Sequence, residues 1–187
     1  MPTPPDPHAR GDKKELRAAV RARRAQRSPE DQAAFAQALA RWLPPEGTRR
    51  VALFLGVGDE PDTGPLIAAL HARGVEVIVP ITLDDFSLDW AVFTGPDELA
   101  DGRFGLREPT GPRLGPEAIG TADVVLVPGL SVDAEGRRLG QGAGCYDRSL
   151  PHVSASTSVL AVVFPDERVE GPLPEEPHDR RVDGVLP

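Results

Sequence analysis

The sequence holds a single cysteine among its 187 residues. That excludes an intrachain disulfide and any all-cysteine zinc site, and it fits a reducing compartment. Long apolar runs are missing too. The longest, residues 51–55 and 159–164, fall far short of the ~20 residues that cross a bilayer. There is no excess of positive charge: 29 Asp and Glu stand against 21 Lys and Arg, for a net charge of -8. A globally acidic chain is a poor binder of nucleic acid or anionic membrane, although it can hold a local basic pocket. The opening MPTPPDPHARGDKK has no apolar segment of the signal-peptide kind. Residues 1–12 are therefore expected to form a disordered lead-in, and 13–187 a single domain of a cytoplasmic protein.

What is present suffices for a core. Hydrophobic residues make up 40% of the chain, too many for a disordered polymer. Nineteen glycines and 21 prolines, spread without a period, predict many tight connections and exclude a collagen-like rod. Residues 13–26 are rich in Ala and Arg and predict a helix with a thin apolar stripe, Leu16 and Val20. Ser28-Pro29-Glu30-Asp31 reads as a helix start, with Ser as N-cap, Pro at the first position and acids in the first turn. Phe35, Leu39, Trp42 and Leu43 then share a face, so the second helix is predicted to reach about Leu43, before Pro44-Pro45.

Residues 51–57, 75–79, 124–127 and 158–164 predict buried strands, the second closed by Pro80. Residues 88–93 alternate and predict a strand with one exposed face. Leu66, Ile67 and Leu70 carry a short helix closed by Gly74. Residues 97–116 are turn-rich, and 165–187 form a polar, proline-rich tail. Strands alternating with helices predict an α/β fold: three layers, α/β/α, around a mostly parallel sheet. Ligands bind such sheets beyond the C-terminal ends of the strands. Glu60, Pro128-Gly129 and the loop 140–147 are expected to converge there.

The segment Asp133-Ala-Glu-Gly136-Arg-Arg138-Leu-Gly140-Gln-Gly142-Ala-Gly144-Cys-Tyr146-Asp147-Arg148 carries the densest signal. Alternating glycines let backbone N–H groups turn into one concavity, as phosphate oxygens require. Arg137 or Arg138 adds charge, and Asp147 is placed to hold a Mg²⁺ bridging phosphates. Taken alone, the alternation fits a glycine-rich surface loop with a helix cap better. It is neither a Walker A loop nor a Rossmann fingerprint. Lys13, Lys14, Arg17, Arg21, Arg23 and Arg24 form a second basic cluster, a clamp for a polyanion or, more simply, a solvated helix face. Glu60 follows a buried strand, where a carboxylate can accept two N–H bonds from an amino-heterocycle. Asp62-Thr63 beside it reads as a helix cap. His178-Asp179 can reach a metal or phosphate, or lie on the surface. Gly129-Leu-Ser131-Val-Asp133 lacks the second glycine of a nucleophile elbow. Cys145 with His152 or His178 lacks a third, orienting group.

Taken together these residues resemble the 5-formyltetrahydrofolate cyclo-ligase family. The matching pieces run in order along most of the chain. They are Lys13-x-x-Leu16-Arg17, Glu60-x-Asp62-Thr63, Gly102-x-x-Gly105-Leu-x-Glu108-Pro109, Val127-Pro128-Gly129-Leu130, Gly136-x-Arg138-Leu139-Gly140-x-Gly142-x-Gly144-x-Tyr146-Asp147-Arg148 and His178-Asp179. The resemblance implies a NagB/RpiA-like fold and cyclisation of 5-formyltetrahydrofolate to 5,10-methenyltetrahydrofolate, with ATP as co-substrate, Mg²⁺ as cofactor and a phosphorylated N5-formyl intermediate. It implies ATP binding by Lys13, Lys14, Arg17, Arg138, Leu139, Gly140, Gln141, Gly142, Ala143, Gly144, Cys145 and Tyr146. It implies folate binding by Leu55, Glu60 and the stretch Gly142, Ala143, Gly144, Cys145 and Tyr146. Asp147 and Asp179 are the implied metal ligands, and Arg138, Tyr146 and Asp147 the implied catalytic residues. The expected partners are these small molecules, without nucleic acid or membrane, and the expected state is a monomer.

Four positions depart from the family pattern. Cys145 stands where an aromatic is usual, which removes stacking area. Ala143 stands where Gly or Lys is frequent, a costly change where φ is positive. Val132 replaces a frequent aromatic, and the Val-Leu-Pro end replaces an Ile-Thr-like strand end. A relative that binds nucleotide or folate without turnover, and a sugar-phosphate isomerase on the same fold, stay open as alternatives.

Overall fold

The structure, a computed structural model, describes residues 7–177 and 179–186, and only the backbone for residues 7–12 and 104. Two helices come first, α1 (Pro7–Arg24) and α2 (Pro29–Ala40). The sheet begins with β1 (Arg50–Leu53), followed by α3 (Gly64–Ala72), β2 (Glu76–Thr82) and β3 (Leu88–Val92). A small hairpin pairs β4 (Leu99–Asp101) with β5 (Arg107–Pro109). Then come β6 (Val124–Pro128), β7 (Ser131–Asp133), β8 (Arg138–Leu139) and α4 (Cys145–Ser149). The chain closes through β9 (Ser158–Val162), β10 (Arg168–Val169) and β11 (Gly184–Leu186).

Six strands form the main sheet in the order β11-β9-β6-β1-β2-β3. All its pairs are parallel except β2 with β3. Consecutive residues of β1, β2, β6 and β9 are buried, so both faces of the sheet are covered, as parallel sheets require. α2 and α3 pack together, while α4 and the 3₁₀ turns after β5 and α4 gather against β3. This is the expected α/β fold with a mostly parallel sheet. Among the described residues no helix is long and apolar enough to cross a membrane.

Local chemistry explains where the elements stop. Ser28 caps α2 by accepting from Asp31 N–H at 3.1 Å, with Pro29 at the first position. α2 ends at Ala40, three residues earlier than predicted, because Leu43 precedes Pro44 and the residue before a proline avoids the helical region. α3 ends in a Schellman pair, Gly74 N–H to His71 O and Val75 N–H to Leu70 O. β1 is shorter than the predicted 51–57. The Thr63 hydroxyl donates to Phe54 O at 2.7 Å and accepts from Gly56 N–H at 3.1 Å, so a side chain claims backbone that would otherwise extend the ladder.

β2 runs through Pro80 instead of stopping there. Val77–Phe93 and Leu83–Ser87 are hydrogen-bonded pairs across the hairpin. Alternation then makes Pro80–Trp90 a non-hydrogen-bonded pair. The nitrogen of Pro80 faces the side where β1 has already ended, so no ladder bond is lost. β3 is buried on both faces rather than one, because part of the turn-rich stretch folds over it. Leu114 N–H reaches Trp90 O at 2.8 Å, and Gly115 N–H reaches the Asp89 carboxylate at 2.8 Å.

At the chain ends two expectations change. Of the lead-in expected over 1–12, residues 1–6 lie outside the described residues and 7–12 are the first turns of α1. The tail supplies β10 and β11, the latter pairing in parallel with β9.

Candidate active site

A cleft of about 700 Å³ opens beyond the C-terminal ends of the central strands. β8 delivers Arg138 and Leu139 to its floor, the glycine loop 140–144 follows, and α4 begins at Cys145. Gly142 and Gly144 take φ of 112° and 71°, values that a side chain resists and that let this short loop curl back on itself. Ala143 lies outside the left-handed region, so the strain anticipated for it does not arise. The Arg138 guanidinium is nearly buried. Nη1 donates to Pro128 O at 3.0 Å, and Nη2 to Asp147 Oδ1 at 2.8 Å. Its Nε has no partner among the described residues. Asp147, in the first turn of α4, is thus fixed to the end of β6 through an arginine.

The basic face of α1 is not a solvated face. Its residues recur every three or four positions, and this stripe docks on the glycine loop. Arg17 Nε donates to Gly140 O at 2.9 Å, and Arg21 Nη2 to the Gln141 carbonyl and side-chain oxygens at 3.0 and 2.9 Å. Further along, Arg24 forms a buried pair with Glu167 and donates to Gly129 O. Lys13 Nζ lies 2.8 Å from Asp179 Oδ2 and 3.9 Å from Glu176 Oε1. Lys14 is the exception in this group: it is exposed and does not line the cleft.

Glu60 enters from the loop after β1. Its Oε1 accepts from Gln141 Nε2 at 3.0 Å and its Oε2 from Val57 N–H at 3.3 Å. Gln141 therefore touches both the basic helix and Glu60. Burial pushes the Glu60 carboxyl up, and the bonds from Gln141 and Val57 only partly offset it. The folded chain holds this proton more tightly than the unfolded chain. The contribution to stability is therefore largest at low pH and falls as pH rises from 4.5 through the higher folded value. We expect Glu60→Gln to melt at a higher temperature than the parent at neutral pH. The two midpoints should converge as pH falls toward 4.5. Thermal melts across pH check this, and equal midpoints at neutral pH would contradict it.

Tyr146 packs edge-on against Trp90, ring centroids 6.4 Å apart. Its hydroxyl is buried without a partner among the described residues. Burial, then the Glu60 charge, pushes the phenol far up, so it stays protonated. Burial also pushes the Cys145 thiol up, which argues against an activated nucleophile. Leu55 lines the cleft as expected. So do Phe54, Pro80, Thr82, Phe86, Leu88, Leu106 and Glu176, which sequence reasoning missed. These come from the end of β1, the β2–β3 hairpin, the β4–β5 connection and the tail, and none carries a motif of its own.

Asp133, inside the segment read as most informative, has a structural part instead. It accepts from the N–H groups of Glu135, Arg137 and Leu173 and from the Arg137 guanidinium. Burial raises its carboxyl, but these donors outweigh that and hold it below the usual range. It ties the tail to the turn before β8. His178 lies outside the described residues.

Among the described residues no group of three or more His, Cys, Asp or Glu side chains could hold a metal. A magnesium ion bound largely through phosphates needs only one or two carboxylates. Asp147 and Asp179 both line the cleft and fit that requirement, each already set beside a cation.

Known proteins resemble the chain in sequence and in fold. A family model described as the 5-formyltetrahydrofolate cyclo-ligase family matches residues 9–187. The chain is 42% identical over 158 residues to a 5-formyltetrahydrofolate cyclo-ligase of Mycolicibacterium smegmatis, covering 81% of this chain and 80% of that one. It is 33% identical over 138 residues to the protein of the same name from Escherichia coli K12, covering 70% and 75%. The solution structure of Aquifex aeolicus 5,10-methenyltetrahydrofolate synthetase superposes with a TM-score of 0.77 at 30% identity, covering 93% of this chain and 88% of that one.

Proposed function

The chain belongs to the 5-formyltetrahydrofolate cyclo-ligase family, and we propose that it uses ATP and Mg²⁺ to close 5-formyltetrahydrofolate into 5,10-methenyltetrahydrofolate, releasing ADP and phosphate. The observation that carries this reading is the one cleft that joins a cationic glycine loop to Glu60 through Gln141. A triphosphate and a reduced pterin each find complementary groups there, side by side.

The chemistry needs such an arrangement. A formyl oxygen on nitrogen is a weak nucleophile and, left as oxide, a poor leaving group. Transfer of the γ-phosphoryl group to it breaks the bond to ADP and creates a phosphate ester that can depart. N10 of the same molecule then attacks the formyl carbon, loses its proton, and expels phosphate as the ring closes. N10 needs no second encounter, so proximity supplies much of the rate. The protein's part is positioning and charge neutralisation, as in other phosphoryl transfers. Magnesium, when bound by Asp147 and Asp179, would screen the phosphate oxygens.

The remaining work falls to this chain's own groups. Lys13, Arg17 and Arg138 face the phosphates. Arg138, anchored at Pro128 O, cannot swing away as charge develops. Glu60 accepts the pterin N–H groups in place of Gln141. The Tyr146 hydroxyl, protonated and without a partner among the described residues, donates to a ligand oxygen. No covalent nucleophile is required, in keeping with the raised Cys145 thiol. Purified protein with ATP, Mg²⁺ and 5-formyltetrahydrofolate is expected to develop the ultraviolet absorbance of the methenyl product. Bound ATP without that absorbance would favour a relative that has kept the site and lost turnover.

A further inference from the structure

The turn between β2 and β3 places an aromatic ring where backbone geometry resists one. Leu83 N–H donates to Ser87 O at 2.9 Å and Phe86 N–H to Leu83 O at 3.1 Å, so residues 83–87 close a short hairpin loop. Phe86 ends that turn with φ of 62°, the only positive φ outside glycine among the described residues. Glycine takes this hairpin position without cost, whereas a bulky residue there is an outlier. Burial does not offset the strain, because Phe86 is 39% exposed. The turn is nonetheless held firmly. The Asp85 carboxylate accepts from both Ser87 N–H and the Ser87 hydroxyl, and Asp84 pairs with Arg103. A strained residue that its surroundings over-determine points to function, and Phe86 lines the cleft.

Its place in the cleft selects the ligand. The cations of α1 dock toward β6 and the tail, through Gly129, Glu167 and Asp179. The β2–β3 hairpin lies at the other flank of the sheet. There Pro80, Leu88, Leu106 and Phe86 form an apolar wall. Leu88 is buried, while Phe86 is exposed at the rim. A reduced folate whose pterin reaches Glu60 must run its aryl ring outward before its anionic glutamate meets water.

We propose that Phe86 is a specificity residue whose ring packs against the aryl ring of the reduced folate at the rim of the cleft. This rests on the folate reading of the cleft and adds the contact that separates a full folate from a bare pterin. It also supplies aromatic surface in a cleft where Cys145 provides none. Ring against ring, offset or edge-on, is the favoured arrangement.

The variant Phe86→Gly tests the idea without threatening the fold, because glycine relieves the backbone. Its melting temperature should equal or exceed the parent's. Calorimetric titration with 5-formyltetrahydrofolate should show affinity lowered about five- to tenfold. ATP affinity should stay unchanged, as should affinity for 5-formyltetrahydropterin, which lacks the aryl ring. Phe86→Trp should restore tight folate binding. Unchanged folate affinity in Phe86→Gly, or an equal loss for the aryl-free pterin or for ATP, overturns the proposal. Turnover measured in parallel keeps the two readings apart. Methenyl formation with a folate affinity insensitive to Phe86 removes only the inference. Phe86-dependent folate binding without methenyl formation removes only the cyclo-ligase reading. A parent chain that binds no folate removes both.

Discussion

An Asp147→Asn variant is expected to fold like the parent and to lose turnover by about a hundredfold to a thousandfold, the usual loss when a preorganised charge at a reacting centre is removed. The substitution keeps the shape of the side chain and an oxygen for Arg138 Nη2, which now bonds Asp147 Oδ1 at 2.8 Å. Arg138 also keeps Pro128 O, so its nearly buried guanidinium is not stranded. The melting temperature should therefore move by only a few degrees. If Asp147 helps to hold magnesium, the Mg²⁺ concentration giving half-maximal rate must rise as well. If it only orients Arg138, the maximal rate falls and that concentration stays put. Undiminished turnover would remove Asp147 from the catalytic machinery altogether.

Glu167→Ala is expected to cause the largest loss of stability in the chain. Glu167 is 1% exposed and its partner Arg24 is equally enclosed. Its carboxylate accepts from Arg24 Nε at 2.6 Å and Nη2 at 2.8 Å, and from Phe164 N–H at 3.0 Å. Removing the acid leaves a buried guanidinium whose Nη1 already lacks a partner among the described residues. Breaking one side of such a pair costs about 3–5 kcal/mol, which for a domain of this size is a fall of about 10 °C in Tm. Asp166→Ala is the control. Asp166 pairs with Arg27 and Arg23 at the surface, and such pairs contribute about 1 kcal/mol or less. Glu167→Ala should also weaken ATP binding, because α1 carries Lys13 and Arg17 into the cleft. Thermal melts and nucleotide titration measure the two effects. A Tm within a degree or two of the parent's would show that the pair does not anchor the helix.

The parallel strands were legible because each is a short apolar run bounded by turn residues, a pattern that only a sheet covered on both faces supports. That the glycine loop, Arg138, Asp147 and Glu60 line one cleft was legible because loops after parallel strands converge beyond the C-terminal ends of the sheet. Other features leave no such trace. The extent of β1 depends on the Thr63 hydroxyl, ten residues beyond the strand's end. The passage of β2 through Pro80 depends on where β1 stops. β11 is three residues long, too short for any periodicity. The basic stripe on α1 looks in sequence like any solvated face, since its partners at Gly129, Gly140, Glu167 and Asp179 lie more than 100 residues away. Phe86 was invisible for the opposite reason. A phenylalanine in a polar turn announces nothing until its backbone angle is known.

The distances along the chain that tie down α1 set an order of events on the ribosome. The first helix emerges early, yet the groups that hold it, from Gly129 to Asp179, follow more than 100 residues later. At ordinary elongation rates it waits on the order of ten seconds. Throughout that interval Arg24 lacks its partners Gly129 and Glu167. The cleft wall that α1 provides therefore cannot be completed until Asp179 has been added.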